Sequence, residues 1–164
     1  MLAREVERAC QAILLLRHPA SDLRFVTTVL KIVPDLQRTG EIARRIRTRI
    51  AAAPAIRAQR PVNFSRLASV CRSQVRLAVG AIALEDVTSA QEAIADRELV
   101  AALHHVVIND VLALMLEDEA KRAACSALLF ITKQLDALAE QAASAAQLVV
   151  SMVRGSSADD LRAF

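Results

Sequence analysis

The sequence predicts an all-α protein, and three observations carry that prediction. Only 2% of the 164 residues are aromatic, Trp and Tyr are missing, and there are just three Gly. Ala, Leu, Val, Arg and Glu dominate, and these favour helices while leaving little material for sheet. Apolar residues also recur at steps of three and four over long stretches, the period of a helix with one buried face. At 54% hydrophobic residues the chain is not composed like a disordered one. Its length suits one domain, or two small bundles that share a core.

The elements follow in order. Residues 2–17 read as a first helix, closed by "RHPAS". Ser21 is placed to cap the second, with Asp22 in its first turn, where the helix dipole favours an acid. That helix runs to about residue 53, with a seam expected on Phe25, Val29, Ile32, Leu36, Ala43, Ile46 and Ile50. Pro34 lies inside it and predicts a bend, because proline removes a backbone hydrogen bond. "PAIRAQRPVN", residues 54–63, with two prolines, is the expected linker. A third helix spans residues 64–83, with Arg66, Arg72 and Arg76 off its apolar side. In "LEDVTSAQEAIADRE" a turn is expected near Thr88, followed by a helix up to "LEDE". The last helix covers residues 119–153 and stops at Gly155, a common helix-ending residue; residues 156–164 form a frayed tail.

Bulk properties exclude several classes. Mean hydropathy is +0.33, but the longest uncharged run, "QAASAAQLVVSMV", falls short of the roughly 20 residues that span a bilayer. The opening "MLAREVERACQAILLL" has too short an apolar run and too many acids for a signal peptide, so the protein is expected in the cytoplasm. Cys10, Cys71 and Cys125 form no CxxC pair and read as buried thiols. Neither a Gly-rich phosphate loop, a Gly-x-Ser-x-Gly elbow nor a His-Glu-x-x-His pair occurs, so an enzyme is not expected. Charge is polarised along the chain: residues 1–82 carry fifteen Lys/Arg against five Asp/Glu, and residues 83–164 carry six against thirteen. Such a split of +10 and −7 can steer a complementary partner, although two differing solvated faces would look the same.

An internal repeat organises these elements. Shifted by 99 residues, Leu30, Ile32, Leu36, Glu41 and Ala43 meet Leu129, Ile131, Leu135, Glu140 and Ala142. The break "LLLRHPASD" meets "LMLEDEAK", and the seam carries over from Val29 to Leu128, Ile46 to Ala145 and Ile50 to Val149. The shared order of break, seam and acid indicates a duplication.

The first copy resembles the PhoU family of phosphate-uptake regulators. Pro19, Ala20, Asp22, Leu23 and Arg24 match its turn motif, followed in place by Leu30, Lys31 and Ile32. Asp35, Leu36, Arg38, Gly40 and Ala43 match its acidic stretch, and "ALLFITKQLDALAEQAASAAQLVVSMVRG" is similar to the second-repeat version. The resemblance implies two three-helix bundles with left-handed, coiled-coil-like packing. Here the first is expected to be incomplete, with two helices in residues 1–53 and three in residues 64–155. Two helices cannot close a three-sided seam, so residues 1–53 should expose an apolar groove, either filled by a neighbouring chain or left by a clipped N-terminus.

The resemblance also implies metal sites, built from an acid, three residues and a second acid on adjacent helices. The first motif reads Gln37 and Glu41, one acid short; the second reads Asp136 and Glu140. Partner acids should fall near residues 1–3 and 96–100, where Asp96 is present but Val100 stands in the completing position. His104 and His105 lie one turn on, but adjacent residues diverge by about 100° around a helix. A weakened site for a divalent or iron-type metal at Asp96, Asp136 and Glu140, and a poorer one at Glu41, is the expectation, against the plainer reading of exposed acids beside a seam.

Arg44, Arg45, Arg47, Arg49, Arg57 and Arg60 form the densest basic stretch. Without a helix-turn-helix or stacking aromatics it reads as a protein-docking or solvated face, and nucleic acid is not expected. By resemblance the partners are the ATPase of a phosphate-specific ABC transporter and a sensor histidine kinase, with a homodimer expected and membrane association only through those partners. A metal-storing or metal-sensing bundle and a basic nucleic-acid-binding protein are the rival readings.

Overall fold

The computed structural model describes residues 2–15, 20–57 and 61–154, and every regular element among them is helical. The segment 16–19, the side chains of Ser21, Asp22 and Arg57, Arg60, and the residues from Gly155 onward lie outside the described residues. The helices are α1 (Leu2–Leu14), α2 (Ala20–Ala52), α3 (Val62–Leu84), α4 (Val87–Glu117) and α5 (Arg122–Arg154). α2 continues through Pro34 as one helix.

Three sequence expectations are corrected. The segment taken as a linker is partly structured: Pro54–Arg57 forms a 3-10 turn that buries Ile56 in the core, and α3 already includes Val62 and Asn63. The turn expected near Thr88 lies earlier, at Glu85 and Asp86. Glu85 takes a left-handed φ of 53°, which lets the Asp86 N–H reach back to the Ala81 carbonyl at 3.1 Å and close α3. Asp86 then opens α4, accepting the Thr88 N–H at 2.9 Å and the Ser89 hydroxyl at 2.6 Å. These hydrogen bonds hold the Asp86 carboxyl below its ordinary pKa. Thr88 therefore belongs to the first turn rather than to the loop.

The third correction concerns the seam of α2. Of the seven residues assigned to it, only Ile32 is buried; Phe25, Leu36, Ala43 and Ile50 are exposed. The buried positions are instead Val26 and Val33 on one flank of the expected stripe and Thr28, Ile32 and Ile42 on the other.

α5 is the hub. It packs on α2, α3 and α4, whereas α1 touches α2 alone among the described residues. Two apolar clusters line the bundle of α3, α4 and α5. One is bulky, centred on Phe64, Leu67, Val107, Leu128 and Ile131. The other is largely alanine, from Ala78, Ala81, Ala90, Ala93, Ala142 and Ala146. Small side chains let helices approach closely, and the two-residue connection between α3 and α4 at that end demands it.

Between the clusters runs a polar layer. Gln74 is fully buried, and its side-chain amide donates to the carbonyls of Ala93 (2.8 Å) and Ala139 (3.2 Å), tying α3 to both partners. Cys71, one turn away, donates its thiol to the Leu135 carbonyl at 3.3 Å. All three cysteines are buried free thiols. On the other side of α5, the Ser144 hydroxyl donates to Asp35 of α2 at 3.3 Å.

Candidate functional site

The second acid motif lies on α5 at the polar layer, one helical turn between Asp136 and Glu140. Facing it from α4 is a base rather than a third acid. Arg97 Nη2 stands 3.0 Å from Asp136 Oδ1 and 3.4 Å from Glu140 Oε2. Arg97 and Asp136 are both a little over one quarter exposed, and Glu140 is largely open to solvent. Cys71 lies close enough to feel both charges. Burial chiefly, and then Asp136, push its thiol up to about 12, with Arg97 acting in the opposite direction. The thiol is therefore protonated and unreactive at neutral pH.

The metal implied by the resemblance does not fit these residues. A cation shared by two carboxylates needs oxygens at about 2.0–2.6 Å on a common point. The guanidinium occupies that approach to Asp136 and Glu140 and carries the same sign as a metal. Among the described residues no three His, Cys, Asp or Glu converge. Asp96 is beside Arg97 in sequence but joins neither ion pair. In the first motif Glu41 is exposed, and Gln37 lines a groove of about 250 Å³ with Ala3, Val6, Val33 and Leu36 between α1 and α2. His104 and His105 bring their rings edge to face at 5.6 Å and gather no acid around them.

The basic stretch gives a clearer arrangement. Arg44, Arg45, Thr48, Arg49 and Ala52 of α2 line one wall of a groove of about 270 Å³, and Phe130 of α5 closes it. The Arg49 guanidinium lies 5.5 Å from the Phe130 ring centroid, so the ring holds one cation in place through its π face. Arg47 is exposed but does not line the groove. The Arg49 guanidinium over the ring, with Arg44 and Arg45 along the same wall, can take an acidic side chain or another anionic group.

Sequence reasoning missed Arg97 and Phe130. Arg97 is the single Lys or Arg of α4, set among Glu92, Asp96 and Glu98, a signal that it faces something other than its own helix's acids. Phe130 gives no local signal, since its partner is far along the chain. A third feature, a solvent-facing run of Leu99, Ala102, Val106, Asn109, Ala113 and Leu116 at heptad steps, was also legible. By length and composition α3 and α4 are both long and apolar enough to cross a membrane, and in α4 this run contributes to that.

Residues 64–149, covering most of α3 to α5, match the PhoU domain family. A PhoU homologue from Aquifex aeolicus, named a phosphate-specific transport system accessory protein, is 29% identical over 122 residues, 72% of this chain and 54% of that relative. One of the same name from Pseudomonas putida is 26% identical over 158 residues, 94% of this chain and 61% of its own length. The chain thus spans between half and two thirds of these curated relatives. The crystal structure of PhoU from Pseudomonas aeruginosa matches with a TM-score of 0.84 at 25% identity, covering 94% of this chain and 75% of that one. For the phosphate transport system regulatory protein PhoU from Streptococcus pneumoniae the TM-score is 0.73 at 19% identity, over 94% and 73% of the two chains, a likeness of fold. With more than half of its length inside the domain match, this chain belongs to the PhoU family.

Proposed function

We propose that the chain is a regulatory adaptor of phosphate transport, acting through protein contact rather than turnover. In this reading it works in the cytoplasm as a homodimer, against the ATPase of a phosphate-specific ABC transporter and a sensor histidine kinase. There it restrains phosphate uptake and the phosphate-starvation response when phosphate is plentiful. Family membership and the names of the relatives support the phosphate-transport setting.

The observation that carries the contact mechanism is the groove of Arg44, Arg45 and Arg49 against Phe130. Its charge suits an acidic partner surface, and a contact of this kind should weaken as salt screens it over about 10 Å at 0.1 M.

The test is phosphate uptake and a starvation-responsive reporter in cells lacking this protein, grown in ample phosphate. The wild-type chain is expected to restore repression. Arg44→Glu/Arg45→Glu/Arg49→Glu, confirmed as folded by circular dichroism, is expected not to. Full repression by the triple variant would remove the groove from the mechanism. Derepressed cells that the wild-type chain leaves derepressed would remove the regulator reading itself.

A further inference from the structure

We propose that the guanidinium of Arg97 is a built-in cation that stands where a metal would have to stand between α4 and α5, so that this bundle balances its acid motif without metal. The inference is independent of the docking groove. It rests on the disagreement between the donor set a metal needs and the one the fold supplies.

The geometry is specific to one atom. Arg97 Nη2 lies within 3.0 Å of one carboxylate and 3.4 Å of the other, so a single nitrogen sits at the point the two acids share. A metal there would have to displace the guanidinium or bind beside a like charge. Displacing it would break both ion pairs and leave Asp136, which is less than one third exposed, without its cation. The other groups facing the pair do not add a donor set, since His104 and Asp96 are not gathered with it.

The internal repeat supports the same conclusion. Where the motif keeps two acids, Asp136 and Glu140, it meets one fixed cation. Where it keeps one, Glu41 beside the neutral Gln37, the acid is exposed to water, which stabilises a single charge without a partner. Each copy thus settles its charge by its own means, and neither presents the two-helix set of carboxylates that a divalent ion takes from a bundle.

The test is Mn²⁺ titration of the purified chain, read by loss of the free-ion electron paramagnetic resonance signal, beside thermal unfolding with EDTA or millimolar Mn²⁺. Wild type is expected to take up less than about 0.1 Mn²⁺ per chain, against the full occupancy of a specific site, and to unfold at the same temperature in both buffers. Arg97→Ser leaves Asp136 and Glu140 facing each other without a cation. It should unfold several degrees lower in EDTA, with Mn²⁺ recovering at least half the loss, and Asp136→Asn added to it should abolish the response to Mn²⁺. About one Mn²⁺ per wild-type chain, with a raised melting temperature that Asp136→Asn abolishes, would overturn the proposal. So would an Arg97→Ser chain that is indifferent to Mn²⁺. If Arg97→Ser does not fold in EDTA, folding restored by Mn²⁺ supports the inference and its failure to return overturns it.

Discussion

α2 and α5 are both 33 residues long and carry the same seam at a shift of 99 residues, yet they live in different surroundings. α5 buries thirteen side chains, because α3 and α4 cover one flank and α2 another. α2 is covered by α5 on one side and by α1, and it leaves Leu23, Phe25, Leu36 and Ile50 in contact with water. Leu135 is 8% exposed where its repeat partner Leu36 is 39%, and Val149 is 0% where Ile50 is 38%. The pair teaches that an apolar period marks a stripe on a helix, whereas the number of neighbours decides how much of that stripe is inside.

The largest expected effect separates those two copies directly. Leu135→Ala should destabilise by about 2–4 kcal/mol, since it removes a buried side chain and leaves a cavity. Leu36→Ala, at the matching position, should change stability by less than about 1 kcal/mol. Equal losses in urea denaturation would mean that α2 is as enclosed as α5, and the comparison would collapse.

Next comes the polar layer that joins α3 to α4 and α5. Gln74→Ala should cost about 2 kcal/mol, because it removes the side-chain hydrogen bonds that tie α3 to Ala93 and Ala139 and leaves a cavity at a fully buried position. Asn63, which donates to Asp110 at 3.0 Å near the surface, is the control; Asn63→Ala should cost less than half as much in the same titration.

A gain is expected at the α3–α4 turn. Glu85 holds a left-handed backbone that glycine adopts without penalty, so Glu85→Gly should stabilise by up to about 1 kcal/mol. An unchanged or lower midpoint would show that the Glu85 side chain makes up for its backbone.

The smallest effect is a pH dependence at the neighbouring cap. The carboxyl of Asp86 is held below its unfolded value by Ser89 and Thr88, so its contribution is present above the ordinary carboxylate range and fades as pH falls through the lowered folded pKa. Asp86→Ala should lower the melting temperature by roughly 2 °C at pH 7 and by less near pH 2. A gap that widens in acid would contradict that sign.

The sequence by itself determined the helical class, the number of long helices and most of their ends, because Ala- and Leu-rich composition, three-four periodicity and breaks at proline or acidic turns are local properties. It also placed the acid motifs and the basic stretch. The break misplaced near Thr88 came from overlooking that Asp86 with Ser89 makes a capping pair, and the linker at 54–63 from reading two prolines as an unstructured stretch. Tertiary structure alone decided which sectors of α2 face inward, since the buried Val26 and Val33 lie on one flank of the expected stripe and Ile42 on the other, and the positions of α1 and α5 select them. It also decided the chemistry of the acid motif. Whether Asp136 and Glu140 meet a metal-binding carboxylate or Arg97 depends on the rotation of α4 against α5, and a charge contact between residues some forty positions apart leaves no periodic trace in either helix.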